Sequence, residues 1–168
     1  IKTGINIIIA GVGTGKTSLW INRDKELKND VLNAGMMKST IITEPYNAIL
    51  NTKFGVGGYQ CPIYKGSMHL SWNSLDKGLC AANYKKLVEL GNKDEIDWDK
   101  IDYIVCDESH LLTKEYFRSD DLIQMIEFLK LASKNVPVVL MTGTPSDEMD
   151  IFENINTIYI DKPDKRHI

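Results

Sequence analysis

Seven short apolar runs, rich in β-branched residues, alternate along this chain with segments of helical periodicity. Apolar runs without polar alternation predict strands that are buried on both faces, and helical segments between them predict a parallel sheet. The predicted strands cover residues 5–11, 39–45, 61–65, 78–84, 101–110, 136–145 and 156–160. We therefore expect an α/β fold of three layers, with a mainly parallel central sheet flanked by helices.

The length and composition of the chain indicate one globular domain. Its 168 residues are 43% hydrophobic and 26% charged, which is enough apolar material for one good-sized core. We expect this domain to span residues 1–160. The polar segment 161–168, which contains a proline, is expected to begin a linker.

Charge and cysteine content argue against several classes of protein. A net charge of −3 and a pI near 5.6 disfavour nucleic-acid binding through bulk positive charge, so any such contact must be local or shared with another domain. The cysteines at 61, 80 and 106 form no CxxC pair and indicate neither a disulfide framework nor a zinc site. No apolar run approaches the roughly 18 residues of a membrane span, so we expect a soluble, cytoplasmic protein without a membrane partner.

The segment AGVGTGKTS, residues 10–18, lies between the first predicted strand and the first predicted helix. In that context its glycines let successive N–H groups point at a phosphate, at the positive end of the helix. Lys16 would reach the β- and γ-phosphates, and the Thr17 hydroxyl would bind Mg²⁺. Ala10 stands where the generic pattern has glycine. The predicted nucleotide-binding residues are Gly11, Val12, Gly13, Thr14, Gly15, Lys16, Thr17 and Ser18.

A second polar cluster, DESH, follows the apolar run that begins at Ile101. An acid at the tip of a neighbouring parallel strand can hold the nucleotide's Mg²⁺, and Asp107 fits that role. Glu108 could orient and deprotonate the attacking water, and His110 could sense the γ-phosphate. The alternative is that these ionisable groups only begin a solvated helix.

A third segment, MTGTPS at 141–146, follows the apolar run 136–140. Thr142 and Thr144 would then lie at a strand tip, where their hydroxyls can hydrogen-bond toward the acid cluster. On its own such a segment is also typical of an ordinary turn.

AGVGTGKT, DESH and TGTP, in this order, resemble motifs I, II and III of DExH-type superfamily 2 helicases. The resemblance covers nearly the whole chain and implies the first RecA-like lobe of such an enzyme, a P-loop NTPase fold. It implies catalytic roles for Lys16, Asp107, Glu108 and His110, and a coupling role for Thr142 and Thr144. TEP at 43–45 resembles motif Ia and AAN at 81–83 resembles motif Ib or Ic, which implicates in nucleic-acid contact Thr43, Glu44, Pro45, Ala82 and Asn83.

The resemblance also implies a function, with ATP and Mg²⁺ as cofactors and nucleic acid as partner. The expected activity is ATP hydrolysis coupled to translocation on, or unwinding of, DNA or RNA. DNA is favoured over RNA as the partner. The composition, rich in lysine, isoleucine and asparagine, is reminiscent of AT-rich viral or mobile-element proteins, among which replication helicases of origin-binding type occur. The family completes its ATP site with arginines of a second RecA-like lobe, each worth roughly 10³ to 10⁵ in rate. We therefore expect these 168 residues to be monomeric, to bind ATP and to hydrolyse it slowly.

Two alternatives remain open from the sequence. An ATPase of the same fold could remodel protein or act as a switch without unwinding nucleic acid. A nucleotide-independent interaction module could keep the fold without the activity, although the presence of Lys16, Thr17, Asp107 and Glu108 argues against it.

Overall fold

The computed structural model describes residues 1–11, 15–30, 32, 37–93, 95–113, 120–143 and 151–160. Its centre is a seven-stranded sheet in the order β3-β4-β2-β5-β6-β1-β7. Every strand pair in this sheet is parallel, as the apolar runs predicted. The strands are β1 Gly4–Ala10, β2 Ser39–Glu44, β3 Ile63–Tyr64, β4 Gly78–Asn83, β5 Ile101–Cys106, β6 Pro137–Thr142 and β7 Asn156–Ile160.

Four helices connect or flank these strands in the described part of the chain. They are α1 Lys16–Asn29, α2 Asn47–Lys53, α3 Tyr84–Gly91 and α4 Asp120–Ser133. Short 3₁₀ turns occupy Gly55–Gly57, Trp98–Lys100 and Ser109–Thr113. No helix among these described residues is long and apolar enough to cross a membrane.

The helices cover both faces of the sheet, which gives the predicted three layers. Successive side chains of a strand point to opposite faces, so neighbouring residues of β1 enter different cores. Ile7 packs in the core that contains Leu87 of α3 and Leu129 of α4. Ile8 packs in the other core, with Trp20 of α1 and Leu50 of α2.

The strand order brings the predicted functional segments to one edge of the sheet. β6 lies between β5 and β1, and all three strands run in the same direction. The residues that follow Ala10, Cys106 and Thr142 therefore lie at the same edge. Two strand spacings, roughly 10 Å, separate the backbones of β5 and β1.

Candidate nucleotide-binding site

The loop after β1 leads directly into the N-terminus of α1. Gly15 has φ +79°, a left-handed conformation that glycine adopts without the steric cost of a Cβ atom. The first N–H groups of α1, at Lys16, Thr17 and Ser18, have no acceptor within the helix, so this positive end can receive an anion. Val12, Gly13 and Thr14 lie outside the described residues, and Gly11 is exposed.

The amine of Lys16 lies between the ends of β1 and β6. It donates a hydrogen bond to the carbonyl oxygen of Ala10 at 2.9 Å. A Cβ atom placed on Gly143, directly after β6, would lie 3.7 Å from Lys16 Nζ and 3.6 Å from Ala10 O. The lysine is thus next to the strand end that carries Thr142.

Asp107 follows β5, is fully buried and is held by several neighbours. Its backbone N–H donates to Thr43 O at 3.0 Å, which continues the β2–β5 pairing. Its Oδ1 accepts from the Glu108 backbone N–H at 2.9 Å, and its Oδ2 accepts from the Lys53 amine at the end of α2. The Tyr84 hydroxyl, at the start of α3, donates to Asp107 O at 3.1 Å. Groups from both faces of the sheet therefore position Asp107.

Glu44, the last residue of β2, completes a buried cluster with Lys53 and Asp107. Lys53 Nζ also lies 3.2 Å from Glu44 Oε1, so one amine serves two carboxyl groups. Burial raises the pKa of Glu44 to about 9, and the neighbouring Asp107 adds to the shift. Burial alone would also raise the pKa of Asp107, but the neighbouring Glu44 carboxyl and the hydrogen bond from Lys53 outweigh it and leave that pKa below its ordinary value. At neutral pH Glu44 is therefore protonated and Asp107 ionised.

The ionised Asp107 carboxylate in turn stabilises the charged form of the Lys53 amine. Burial would lower the pKa of the Lys53 amine, but its hydrogen bond to Asp107 and the charge of that carboxylate raise the pKa above its ordinary value. Lys53 and Asp107 thus form a charged pair in which the Asp107 side chain is buried, at 1% exposed, and the Lys53 side chain is partly exposed, at 29%.

Glu108 and His110 lie in the turn after Asp107, beside the end of β6. Glu108 has φ +53°, a left-handed conformation that is strained for a residue with a Cβ atom. Its Oε2 lies 3.6 Å from His110 Nδ1, and the same Nδ1 lies 3.5 Å from Thr142 Oγ1. The structure thus brings together three of the predicted residues. Thr144 lies outside the described residues.

The predicted nucleic-acid contacts fall into two groups. Thr43, Glu44 and Ala82 are fully buried because they belong to central strands covered on both faces, so in this conformation their side chains offer no surface to an external strand. Pro45 and Asn83 are partly exposed and border a pocket of about 470 Å³. Polar and aromatic groups beside them in this pocket include Tyr46, Asn47, Asn92 and Gln124.

Sequence reasoning missed two residues that contact Asp107. Lys53 is 54 residues away from Asp107 in sequence, and Tyr84 precedes it by 23. A lysine at the end of a helix and a tyrosine at the start of one are both common, so no local sequence pattern marks these two residues as neighbours of Asp107. Only the pairing of β2 and β4 beside β5 brings them to this point.

Comparisons with known proteins concern the fold. No family model and no curated protein matches the sequence. Similar solved structures include the DEAD-box helicase Mss116 bound to single-stranded RNA and UDP-BeF, with a TM-score of 0.58 and 21% identity. A second is the helicase domain of Pyrococcus furiosus Hef, with a TM-score of 0.56 and 13% identity. A third is the SWI2/SNF2 ATPase core of Sulfolobus solfataricus in complex with double-stranded DNA, with a TM-score of 0.51 and 18% identity.

These matches define the class of domain. They cover 98%, 98% and 90% of this chain but only 38%, 36% and 30% of the three structures, so the chain corresponds to less than half of each. At such low identities the likeness shows the fold alone. The chain has the RecA-like fold of helicase domains such as these.

Proposed function

We propose that this chain is an ATP-binding lobe of a nucleic-acid-dependent ATPase or helicase, which couples hydrolysis of Mg-ATP to movement on, or unwinding of, DNA or RNA. One observation carries the proposal. Lys16 follows β1, and Thr142 is the last residue of β6. Asp107, Glu108 and His110 follow β5, so all five residues lie at a single edge of the parallel sheet. Ligands of open α/β sheets bind outside the carboxyl ends of their strands.

The residues from Gly11 to Ser18 are proposed to hold the triphosphate. The open N-terminus of α1 supports this role, because the first N–H groups of a helix bind phosphate oxygens. The Lys16 amine, now on the Ala10 carbonyl, would exchange that neutral acceptor for a phosphate oxygen. A phosphate oxygen carries negative charge, so the exchange would add an ion pair that the neutral carbonyl cannot provide.

Thr17 and Asp107 are proposed to hold Mg²⁺. Magnesium sites use one or two carboxylates together with waters and phosphate oxygens, so this small donor set is sufficient. Asp107 fits because it is ionised and already accepts from a cation, the Lys53 amine. When bound, the metal would neutralise charge on the phosphates.

Glu108 is the proposed base, with His110 and Thr142 as its link to β6. The left-handed backbone at Glu108 supports this role, because strain of this kind is retained where surrounding structure imposes it and is concentrated at functional sites. From this turn the carboxylate can accept a proton from the attacking water. His110 can pass the state of that carboxylate to Thr142.

The finer parts of the proposal rest on sequence. DESH at 107–110 favours the DExH type, and the composition favours a DNA-dependent replication enzyme of a virus or mobile element. The pocket beside Pro45 and Asn83 is the proposed place of nucleic-acid contact. Arginines of a second RecA-like lobe are proposed to complete the ATP site, so the 168 residues by themselves should turn over slowly.

The test is ATP hydrolysis by the full-length protein, measured alone and with single-stranded DNA, duplex DNA or RNA. The proposal expects stimulation by at least one nucleic acid, and loss of nucleotide binding in Lys16→Ala. Binding of a fluorescent ATP analogue, measured on the same samples, separates loss of binding from loss of turnover. Turnover that no DNA or RNA stimulates would favour an ATPase that remodels protein or acts as a switch.

A further inference from the structure

Lys53 lies at a position where a metal ion would compete with it. We propose that Lys53 is a positioning residue that neutralises and orients Asp107 in the metal-free protein, and that a divalent cation must displace it from Asp107. The inference rests on the proposed function in one respect, the role of Asp107 as a metal ligand.

The contacts of the Asp107 carboxylate leave little room for a cation beside Lys53. Oδ1 accepts from the Glu108 N–H, and Oδ2 accepts from the Lys53 amine. The Asp107 side chain is only 1% exposed. A metal ion that binds either oxygen must therefore approach within a few ångströms of the Lys53 amine.

The charges in the cluster make the exchange energetically reasonable. A buried carboxylate without a cation or hydrogen-bond donors is costly, so metal-free Asp107 needs Lys53. A divalent ion on the same carboxylate would repel the amine, since like charges repel strongly where water is excluded. Lys53 keeps a second acceptor, Glu44 Oε1 at 3.2 Å, to which it can withdraw.

The exchange also reaches the opposite end of α2. Lys53 is the last residue of this seven-residue helix, and Asn47 is its first. Asn47 Oδ1 accepts from Asn83 Nδ2 at 2.9 Å, beside the pocket. Release of Lys53 would remove the ionic anchor of a helix that borders the pocket.

The experiment measures Mn²⁺ affinity by electron paramagnetic resonance, without nucleotide, on the whole chain and on Lys53→Met. Removing a charge next to a carboxylate changes the affinity of that carboxylate for a proton by roughly tenfold to thousandfold. We expect Lys53→Met to bind Mn²⁺ at least about tenfold more tightly than the parent. If Lys53 served only in folding, Lys53→Met would bind Mn²⁺ more weakly than the parent, because a damaged site binds metal more weakly.

Lys65→Met is the matched control. Lys65 also contacts α2, through Asn51 Oδ1, but has no contact with Asp107, so its loss should leave Mn²⁺ affinity within about twofold. In an Asp107→Asn background, Lys53→Met should give no gain in affinity. A gain that persists there would show an effect of general charge and would overturn the proposal.

Other outcomes decide the matter as well. Equal or weaker Mn²⁺ binding by Lys53→Met, or no Mn²⁺ binding by either protein, overturns the proposal. Lys53→Gln, which keeps a polar group of similar length, replaces Lys53→Met if circular dichroism shows that the latter is unfolded. The Mn²⁺ measurement contains no nucleotide, so its result is separate from the test of the proposed function. Failure of the proposed function would be seen in the other experiment, as a parent protein that does not bind the fluorescent ATP analogue.

Discussion

The Oγ1 atom of Thr142 lies 3.5 Å from the Nδ1 atom of His110, within hydrogen-bonding reach. Thr142 is the last residue of β6 and is 1% exposed, whereas His110 lies in the turn that follows β5. The same imidazole nitrogen lies 3.6 Å from Glu108 Oε2. One side chain therefore connects the end of β6 with the acid proposed as base.

Thr142→Val tests whether this contact couples the two strand ends. Valine keeps the volume and removes the hydroxyl, at a cost of about 0.5 to 1.5 kcal/mol for one hydrogen bond. We expect nucleic-acid-stimulated turnover of the full-length protein to fall roughly threefold to tenfold, with nucleotide affinity within about twofold of the parent. Steady-state kinetics and analogue binding provide the two measurements.

Thr157→Val is the matched control, because Thr157 lies on β7, paired with Ile7 of β1 and away from His110. Thr157→Val should leave both nucleic-acid-stimulated turnover and nucleotide affinity unchanged. An equal loss of turnover in the two variants would assign the effect to the sheet as a whole and count against the coupling role.

The backbone of Glu108 predicts an unusual order of stability. At φ +53° a residue with a Cβ atom pays roughly 1 to 2 kcal/mol that glycine avoids, whereas glycine loses roughly 0.4 to 1 kcal/mol through unfolded-state entropy. Glu108→Gly should therefore be more stable than Glu108→Ala by about 0.5 to 1 kcal/mol, as measured by urea unfolding.

At an exposed helical position the order should reverse. Glu127 of α4 provides the comparison, and Glu127→Gly should be less stable than Glu127→Ala by about 1 kcal/mol. If Glu108→Ala proves as stable as Glu108→Gly, the left-handed turn costs nothing and the argument from strain is wrong.

The buried carboxyl of Glu44 predicts a loss of stability as pH rises. Its pKa is about 9 in the folded protein against an ordinary 4.5, so between these values the native state holds a proton that the unfolded state has lost. Stability must then fall with rising pH, by at most about 1.4 kcal/mol per pH unit for one proton. We expect the parent to lose about 1 to 3 kcal/mol between pH 6 and pH 8, relative to Glu44→Gln.

Asp107 and Lys53 change the pH dependence of stability only outside the interval from pH 6 to pH 8. The lowered pKa of Asp107 contributes stability that is lost only as pH falls below its ordinary 3.8. The raised pKa of Lys53 contributes stability that is lost only above 10.5. Parallel urea titrations at pH 6, 7 and 8 therefore isolate Glu44, and identical pH profiles for parent and Glu44→Gln would refute its protonation.

Glu108→Gln tests the assignment of the base. Glutamine keeps the shape of the side chain but cannot take a proton from water, so turnover should fall by roughly 10² to 10⁴ while ATP binding persists. Analogue binding and single-turnover hydrolysis by the full-length protein separate these effects. Hydrolysis as fast as that of the parent would remove Glu108 from the mechanism.

The seven strands could be predicted because their apolar runs are local. INIIIA and VPVVL need burial on both faces whatever surrounds them, and β1 and β6 overlap these runs, with β1 beginning one residue earlier at Gly4 and β6 ending two residues later at Thr142. The loop before α1 could be predicted for the same reason, since Gly15 and Lys16 have their roles within one turn of chain. The acids of DESH were recognised because they interrupt an apolar run.

The environment of those acids depended on tertiary structure. Nothing around TEP indicates that Glu44 is protonated, and nothing around YNAILNTK indicates that Lys53 meets Asp107. Both properties arise because β2 pairs with β5, which buries the two acids together at the end of α2. Strand propensity and loop chemistry are properties of neighbours in sequence, whereas charge pairing and desolvation depend on residues that only folding brings into contact.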